Sequence, residues 1–443
     1  WPHLAEPFHV LLIAWLVVIA TAFAAGLSAK PFARRLGIQT VFALALAVLM
    51  LVAILSGTLL SILAFLWLLL LAFGIGRRLL RVVFRRELPD AAESAVFSLG
   101  LGLGIYYLLA FALALGGLLY DWVAVIVLLL LSVLLRRELL AAVKGTFRGL
   151  RDLPSLVTSE SRDFLSASIL SIFSFLVVIN FIGAIGPEVG WDPVVYQLNV
   201  PKIYVRNHRL VEIPHIFRSY FPKGVNMIYC LGLLVGGQVT AKLLNFGFGL
   251  VTAAGIFAFA RHTVSRKAGL LAAVLFYSAP LTSYLAMSAY VELGWTLFTF
   301  LAMYALCRWL VSRDEAWIIM AGLMSGIALS AKTAAGFLIL PIVIATVVVD
   351  LWVHRSGAKA SIERAAGLVL VSGLVGGLWY VLTYLFTGNP VFPFLNAFFR
   401  SPQWPAVNTM FNYPSYGTGG DLLSLARLPW DMTFESVRFG SVA

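Results

Sequence analysis

Two carboxylates occupy positions from which they could support chemistry. Asp192 precedes Pro193 after a long apolar stretch, and Glu292 lies inside the apolar run SAYVELGWTLF. An Asp before a Pro is a strong helix-start signal, so Asp192 caps a helix, serves chemistry, or does both with its two oxygens. A carboxylate in an apolar run is costly and is a functional candidate by default, and the alternative for Glu292 is a structural partner of a nearby cation.

Positive charge gathers close to the first of these acids. Residues 187–239 contain five Lys or Arg side chains, among them Arg218 and Lys223 just before a short apolar run. Basic residues favour cytoplasmic loops, so their presence in a segment predicted below to lie outside needs another reason. An anionic ligand at the outer leaflet is our hypothesis. Lys332, in ALSAKTAAG, either joins this group or extends its ammonium to the membrane interface along its aliphatic stem.

The elements that must position these residues are membrane helices. Of the 443 residues, 61% are hydrophobic and 12% are charged, and the mean hydropathy is +0.95. A soluble domain has about a quarter of its residues charged. Apolar runs of ~20 residues suit helical spans, because the strands of a membrane barrel are about half that length and alternate in polarity. The sequence therefore predicts an all-α, polytopic integral membrane protein.

Charge and cysteine usage exclude several other classes. The net charge of +12 would suggest nucleic acid in a soluble protein. Here the basic residues stand in short loops between apolar runs, where they set topology and contact lipid headgroups, so no nucleic-acid partner is expected. Cys230 and Cys307 both lie in apolar stretches and form neither a disulfide framework nor a metal-ligand spacing.

The apolar runs and the loop charges together predict twelve spans with both chain ends outside. Run 223–237 is too short for a comfortable span and suits an interfacial or re-entrant helix. If it does not cross, most of the 32 Lys and Arg residues fall in inner loops. The twelve predicted spans are 8–26, 40–56, 58–76, 94–117, 119–135, 164–186, 240–260, 268–288, 292–311, 316–331, 334–353 and 365–387.

Three regions follow from this pattern. Residues 1–163 form an N-terminal five-span membrane module that could bind partners in a membrane complex. Residues 164–387 form the core, with the outer loop 187–239, and residues 388–443 form an outer-face loop or tail. The chain begins at Trp1 rather than Met, so a cleaved signal or a missing tail stays open.

The order of motifs in the core resembles a known superfamily. A span leads into a loop with Trp191, Asp192 and Tyr196, and Arg218 and Lys223 then precede a short helix. The stretches AKLLNFGFGLVTAAGIFAFARH, AYVELGWTLFTFLAMYAL and GLMSGIALSAKTAAGFLILP follow in turn. This order, over about 164–400, resembles the GT-C membrane glycosyltransferases, specifically family 39 with its protein O-mannosyltransferases and aminoarabinose transferases. The resemblance implies a GT-C-like core to which residues 1–163 add an extension.

The resemblance also implies a function. A membrane glycosyltransferase of this kind moves a sugar from a polyprenyl-phosphate donor to an acceptor on the non-cytoplasmic face, with inversion. It implies an acid in the first outer loop, here Asp192 as general base, and a second acid after the third core span, here Glu292. Family members often carry an adjacent acidic pair in the first loop, whereas here Pro193 follows Asp192 and Glu188 lies four residues earlier.

The remaining candidate residues take roles around the donor. A lipid-phosphate leaving group needs cations, and a bound sugar or acceptor needs polar and aromatic contacts. The candidates for the donor phosphate and lipid are Arg218, Lys223 and Lys332. Those for acceptor or sugar contacts are Tyr196, His215 and Tyr290. No cofactor is certain, and a divalent cation held by Asp192, Glu292 and phosphate oxygens stays an alternative.

Two other function classes compete with this interpretation. A non-catalytic GT-C-like subunit or scaffold is the main alternative, because the acidic pair is missing and residues 1–163 resemble no known family. A transporter or flippase fits the number of spans, but such proteins place ionisable groups or broken helices near mid-membrane. The expected location is the bacterial inner membrane with the active loops on the periplasmic face. The sequence does not indicate the sugar or the acceptor.

Overall fold

The computed structural model describes residues 53–85, 87–160, 164–404 and 421–434, which form helices joined by turns and loops. The α-helices are α1 (Leu59–Phe84), α2 (Ala91–Leu115), α3 (Asp121–Leu134), α4 (Arg136–Glu160), α5 (Phe164–Ile185), α6 (Asn199–Arg206), α7 (Gly224–Thr263), α8 (Arg266–Ser278), α9 (Pro280–Ala286), α10 (Glu292–Ser312), α11 (Ala316–Ala331), α12 (Gly336–Trp352), α13 (Ala358–Thr387), α14 (Asn396–Phe399) and α15 (Leu422–Phe434). Shorter turns, of π or 3₁₀ type, are Pro193–Gln197, Phe217–Tyr220 and Thr333–Ala335.

The chain is an α-helical membrane protein, as predicted, but the count of twelve spans is not supported. Seven helices of the described part are long and apolar enough to cross a membrane, or eight if α8 and α9, which meet at a 69° bend, form one broken span. The predicted spans 119–135 and 316–331 form helices of 14 and 16 residues, shorter than the ~20 residues that a span needs. Span 8–26 and most of 40–56 lie outside the described residues.

The ambiguous run 223–237 forms the first part of α7, which is sharply kinked. Gly237 has φ +78° and ψ −165°, a conformation that glycine adopts readily and other residues rarely do. A Cβ on Gly232 would lie 3.0 Å from the Cα of Ala241, nine residues further along. In a straight helix those residues would be about 13 Å apart, so the two parts of α7 fold against each other and the helix is not a single 40-residue span.

Glycines of α2 let the N-terminal helices pack closely into the core. A Cβ on Gly102 would lie 1.8 Å from the carbonyl oxygen of Ala72 in α1, and one on Gly100 or Gly104 would overlap Leu301 of α10 or Ile327 of α11. Glycines two residues apart inside an apolar run of this kind allow helices to approach closely, and α2 shows this packing. The division into 1–163 and 164–387 stays a prediction, although helices from both regions share one hydrophobic core.

The turn between α2 and α3 contacts the loop of the core that was predicted to lie outside, residues 187–239. The Leu119 amide donates to the carbonyl of His208 at 3.0 Å, and the Leu210 amide donates to the carbonyl of Ala114 at 3.1 Å. The rings of Tyr120 and His208 stack with their centroids 3.8 Å apart. These contacts fix residues 207–210 against the N-terminal part of the bundle, at the end where α2 terminates.

The segment after α13 folds back over the 3₁₀ turn Phe217–Tyr220. Thr383 donates its hydroxyl to the carbonyl of Tyr220 at 2.9 Å, and the Tyr220 ring lies 5.6 Å from that of Phe392. Trp404 packs edge-to-face on Phe217, with ring centroids 5.4 Å apart. Of the predicted outer-face region 388–443, the structure therefore joins residues 388–404 to the loop that carries Arg218.

Candidate functional site

Three helix ends meet at one end of the bundle through two glycines. A Cβ on Gly224, the first residue of α7, would lie 2.0 Å from the Ser330 hydroxyl near the end of α11. A Cβ on Gly294, near the start of α10, would lie 2.8 Å from Val225. Because each glycine allows a close approach, the residues next to these contacts gather at the same end of the bundle. Those residues are Lys223, Glu292 and Lys332.

Asp192 faces the cations instead of capping a helix. Its backbone is already helical, with φ −60° and ψ −43°, and its side chain makes no capping hydrogen bond. Its Oδ2 accepts from the Tyr196 hydroxyl at 2.6 Å, and its Oδ1 lies 3.1 Å from Nη1 of Arg218. The capping interpretation of Asp192 is therefore wrong. The carboxylate is held by two partners that leave room for further contacts, since its side chain is 26% exposed.

A short π-helical turn and one amide position this acid. Residues Pro193–Gln197 wind as a π-helix directly after Asp192, and such turns are frequent at functional sites. The side-chain amide of Asn226, two residues into α7, donates to the main-chain carbonyl of Gln197 and to its Oε1 at 3.0 Å. The start of α7 and the residues after Asp192 are thus fixed to each other.

Lys223 is a buried cation beside a second cation. The residue is 2% exposed, and its ammonium lies 5.2 Å from the Tyr196 ring centroid and 5.8 Å from that of Phe221. The Arg218 guanidinium also lies close to this ring, 4.9 Å from the Tyr196 centroid. Burial, and then the Arg218 charge, lower the pKa of Lys223 to about 7. Among the described residues no carboxylate forms an ion pair with this ammonium, so a bound anion would offset its burial.

The second predicted acid pairs with the third predicted cation. Lys332 Nζ lies 3.0 Å from Oε1 of Glu292 and 5.3 Å from the ring centroid of Trp295. Oε2 of Glu292 accepts from the Val291 amide at 3.1 Å. The Lys332 side chain is 42% exposed and that of Glu292 is 25% exposed, so the pair stands at the surface of the bundle end and water screens it.

The predicted sugar or acceptor contacts separate into two groups. Tyr196 is buried against Asp192 and Arg218, and burial together with the Asp192 carboxylate raises its pKa. Tyr290 shares a hydrogen bond of 3.1 Å between hydroxyls with Tyr284, and its pKa is raised by burial first and by Tyr284 and Asp192 next. His215 is exposed, and no hydrogen bond or ion pair joins it to the other candidates in the described residues.

Glu188 holds the loop before Asp192 in place. Its Oε1 accepts from the amides of Val189 and Gly190 at 3.0 and 2.9 Å and from the Ser288 hydroxyl at 2.5 Å. Its Oε2 accepts from the Ala289 amide at 2.7 Å. Four hydrogen bonds occupy this carboxylate, so it ties the loop before Asp192 to the segment before Glu292 and does not form an acidic pair with Asp192.

Two polar residues of α7 complete the framework, and sequence reasoning missed both. Lys242 is 1% exposed, and its ammonium donates to the carbonyls of Gly183, Gly186 and Pro187 at 2.7–3.1 Å, around the end of α5. Asn245 donates to the carbonyls at Leu285 and Ser288, both at 2.7 Å. Their signal in the sequence was polarity inside an apolar run, which marks a structural or functional need.

The arrangement does not fit a resident divalent cation. The described residues contain no group of three or more His, Cys, Asp or Glu side chains that could hold a metal. Asp192 is paired with Arg218, and Glu292 is paired with Lys332, so both predicted ligands already have a cation as partner. We therefore derive no chemical step through a metal.

Comparison with known proteins finds a family similarity for the central helices. Residues 227–379 match the family model described as dolichyl-phosphate-mannose-protein mannosyltransferase. The match confirms the resemblance to GT-C membrane glycosyltransferases over about a third of the chain, including Glu292 and Lys332. The residues around Asp192, Arg218 and Lys223 precede the matched range. No curated protein and no solved structure matches the chain.

Proposed function

We propose that the chain transfers a sugar from a lipid-phosphate-linked donor to an acceptor hydroxyl, with Asp192 as general base. The family match over 227–379 supports a GT-C membrane glycosyltransferase in general. The observation that supports the donor class is Lys223, a buried ammonium beside the Arg218 guanidinium without a carboxylate partner of its own among the described residues. Two cations around one aromatic ring are suited to a phosphate, which is the leaving group of such a donor.

The two cations have different functions at the phosphate. Arg218 presents a planar guanidinium with five N–H donors, and its bond to Asp192 uses one nitrogen. Arg suits forked contacts with phosphate oxygens, whereas Lys223 acts as a point charge. When the bond between the anomeric carbon and the phosphate oxygen breaks, negative charge develops on that oxygen. Lys223, fixed in a buried place, stabilises this charge more strongly than it would in water.

The base acts on the acceptor in the same step. The acceptor oxygen attacks the anomeric carbon as its proton passes to a carboxylate oxygen of Asp192, and the lipid phosphate leaves with the electron pair of the broken bond. One displacement inverts the anomeric configuration. Tyr196 and Arg218 hold the carboxylate by its two oxygens, which fixes its direction before the acceptor arrives. General base catalysis of this kind contributes ~10²–10⁴-fold.

Glu292 and Lys332 act beside this centre. Their ion pair of 3.0 Å keeps the Lys332 ammonium at the same end of the bundle as Lys223. In the proposed reaction, Lys332 contributes positive charge near the donor, and Glu292 is the positioning residue that holds it. Tyr290 lies between the two acids in the chain and contacts the sugar or the acceptor, and His215 contributes to acceptor binding from the exposed loop.

The lipid chain of the donor would meet an exposed apolar surface beside Asp192. Val189, Trp191 and Val194 are 72%, 76% and 54% exposed. An exposed Trp among aliphatic side chains is typical of a membrane interface. The proposed location is the bacterial inner membrane, with this end of the bundle on the periplasmic face, which agrees with the concentration of basic residues in the other loops.

The donor assignment is tested with a panel of polyprenyl-phosphate sugars and the purified chain in lipid nanodiscs. Replacing Arg218 and Lys223 by Gln should raise the KM for the active donor at least tenfold, because both phosphate contacts are lost. Replacing Arg206 and Arg209, two cations of the same loop outside the site, should leave the KM nearly unchanged. Donor kinetics that do not respond to the first pair would reject the phosphate role, and no transfer from any donor would favour the non-catalytic subunit.

A further inference from the structure

A second group of cations lines a cavity far from the candidate site. The cavity has a volume of about 590 Å³ and is lined by Arg78 and Arg81 of α1, by residues 133–134 of α3, and by Arg136, Arg137, Glu138 and Ala141 of α4. Four arginines against one glutamate leave this cavity strongly positive. The lining residues all precede the range matched by the family model, so the match assigns no role to them.

Specific contacts build the walls of this cavity. A Cβ on Gly74 of α1 would lie 2.9 Å from Leu139, so α4 approaches α1 closely at that point. Trp67 of α1 donates to the Ser132 hydroxyl of α3 at 3.1 Å. Glu138, whose side chain is 10% exposed, lies 3.7 Å from Arg78 and 3.9 Å from Arg81. The three helices are thus held around the cavity by their own packing.

The charge of the cavity is only partly compensated. Arg78 and Arg81 share Glu138, and Arg81 also pairs with Glu87 at 2.8 Å. Arg136 and Arg137 are exposed and form no ion pair with any described residue. Guanidinium groups of this kind bind phosphate oxygens through forked hydrogen bonds.

An apolar surface leads directly out of the cavity. Ile126, Leu130, Val133 and Leu134 are 48%, 65%, 62% and 64% exposed. Their spacing places them on one face of α3, which ends at the cavity. An apolar helix face that ends at a cluster of arginines matches a lipid, whose acyl chains and charged headgroup are joined in the same order. A free phosphate would leave the apolar face without an occupant.

The cavity lies at the end of the bundle opposite the candidate site. Arg308, near the end of α10, lies 2.8 Å from Glu93 at the start of α2, directly after the loop that follows α1. Glu292 begins α10 at the other end. The 21 residues of α10 span about 30 Å, the thickness of the hydrocarbon core. The cavity would therefore meet the opposite leaflet from the proposed donor.

We propose that this cavity binds an anionic phospholipid, with the headgroup phosphate on Arg78, Arg81, Arg136 and Arg137 and the acyl chains along the exposed face of α3. The helix α4 supports this placement, because it continues from the cavity as a basic, amphipathic helix with Lys144 and Arg148 exposed. Basic amphipathic helices lie at the surface of membranes that contain anionic lipid. The site is independent of the proposed transferase activity.

The test uses the delipidated full chain in neutral detergent and native mass spectrometry, which counts bound lipid. Dioleoyl-phosphatidylglycerol should bind at least tenfold more tightly than dioleoyl-phosphatidylcholine. The double variant Arg136→Gln/Arg137→Gln should weaken phosphatidylglycerol binding about thirty-fold, from the usual contribution of a basic residue near an anionic headgroup. The matched control Lys144→Gln/Arg148→Gln removes the same charge from the same helix outside the cavity and should change the affinity less than threefold.

Three outcomes would overturn the proposal. The first is equal weakening by the two double variants, which would show a diffuse charge effect. The second is equal binding of the two lipids, which would show that the phosphate charge is not recognised. The third is inorganic phosphate raising the thermal midpoint of the chain as much as the lipid does, which would assign the cavity to a soluble anion. Arg78→Gln, on another helix, provides a second variant if the first does not fold.

Discussion

Nη1 of Arg218 lies 3.1 Å from Oδ1 of Asp192, and that guanidinium and the ammonium of Lys223 lie 4.9 and 5.2 Å from the ring centroid of Tyr196. Residues 26 positions apart in the chain thus form one group of alternating charge. The carboxylate can accept a proton while the cations beside it bind an anion. In the proposed transfer, these are the two requirements of the acceptor and the leaving group.

The unusual titration of Lys223 gives a pH dependence. Burial lowers its pKa from 10.5 to about 7, so the ammonium is charged below pH 7 and becomes neutral above it. A sugar-lipid phosphodiester keeps one negative charge throughout this range. Donor affinity should therefore be nearly constant below pH 7 and weaken by up to about tenfold per pH unit above it, until the higher pKa of the donor complex is reached.

Donor binding measured by tryptophan fluorescence from pH 5.5 to 9 checks this dependence. The variant Lys223→Met should bind the donor more weakly at pH 6 and show a flat profile. If Lys223→Met keeps the slope of the unsubstituted chain above pH 7, another group titrates and the charge of Lys223 does not bind the donor.

The ion pair between Glu292 and Lys332 predicts coupled kinetics. Glu292→Gln should lower kcat/KM mainly because Lys332 loses its position, so adding Lys332→Met should cause little further loss. The coupling free energy should be about 0.5–1 kcal/mol, since the pair is partly exposed and screened by water. A double-mutant cycle on kcat/KM measures this energy. Losses that simply add would show that Glu292 and Lys332 act separately.

The buried ammonium of Lys242 predicts a large effect on stability. Lys242→Met removes the ammonium that donates to the carbonyls of Gly183, Gly186 and Pro187, which should lower the free energy of unfolding by about 2–3 kcal/mol. Thermal unfolding in detergent measures the change. Lys202→Met is the matched control, because Lys202 is exposed and donates only to Gln238 at 2.7 Å. A similar shift in both variants would mean that Lys242 does not support the end of α5.

The sequence predicted well what depends on local composition. Apolar runs predicted helices, and the order of motifs in the core predicted the family resemblance. Contacts between residues distant in the chain were not predictable from composition. The partner of Glu292 lies 40 residues away, and its identity depends on how α10 and α11 pack. The number of spans failed for a physical reason, because runs 119–135 and 316–331 form helices of only 14 and 16 residues, and the bend before Pro280 divides the run 268–288, which composition alone reads as continuous.

The hydrogen bonds of Asp192 also depend on a residue that is distant in the chain. Its neighbour Pro193 favoured a helix cap, and this local rule is sound for isolated helices. In the structure, the bonds to Tyr196 and Arg218 replace the capping bond, and Asp192 itself is helical. Helical periodicity places Tyr196, four residues after Asp192, on the same face of a helix, so this contact could be predicted. The contact with Arg218 depends on how the loop between them folds.

Turnover of Asp192→Asn tests the central proposal most directly. Asn keeps the shape of the side chain, its amide oxygen can accept from Arg218, and its amide nitrogen can donate to the Tyr196 hydroxyl, but it cannot take the acceptor proton. The variant should bind the lipid-phosphate sugar with near-normal affinity and lose at least about 10²-fold in single-turnover transfer. Transfer within a few-fold of the unsubstituted chain, with donor binding unchanged, would contradict the assignment of Asp192 as the general base.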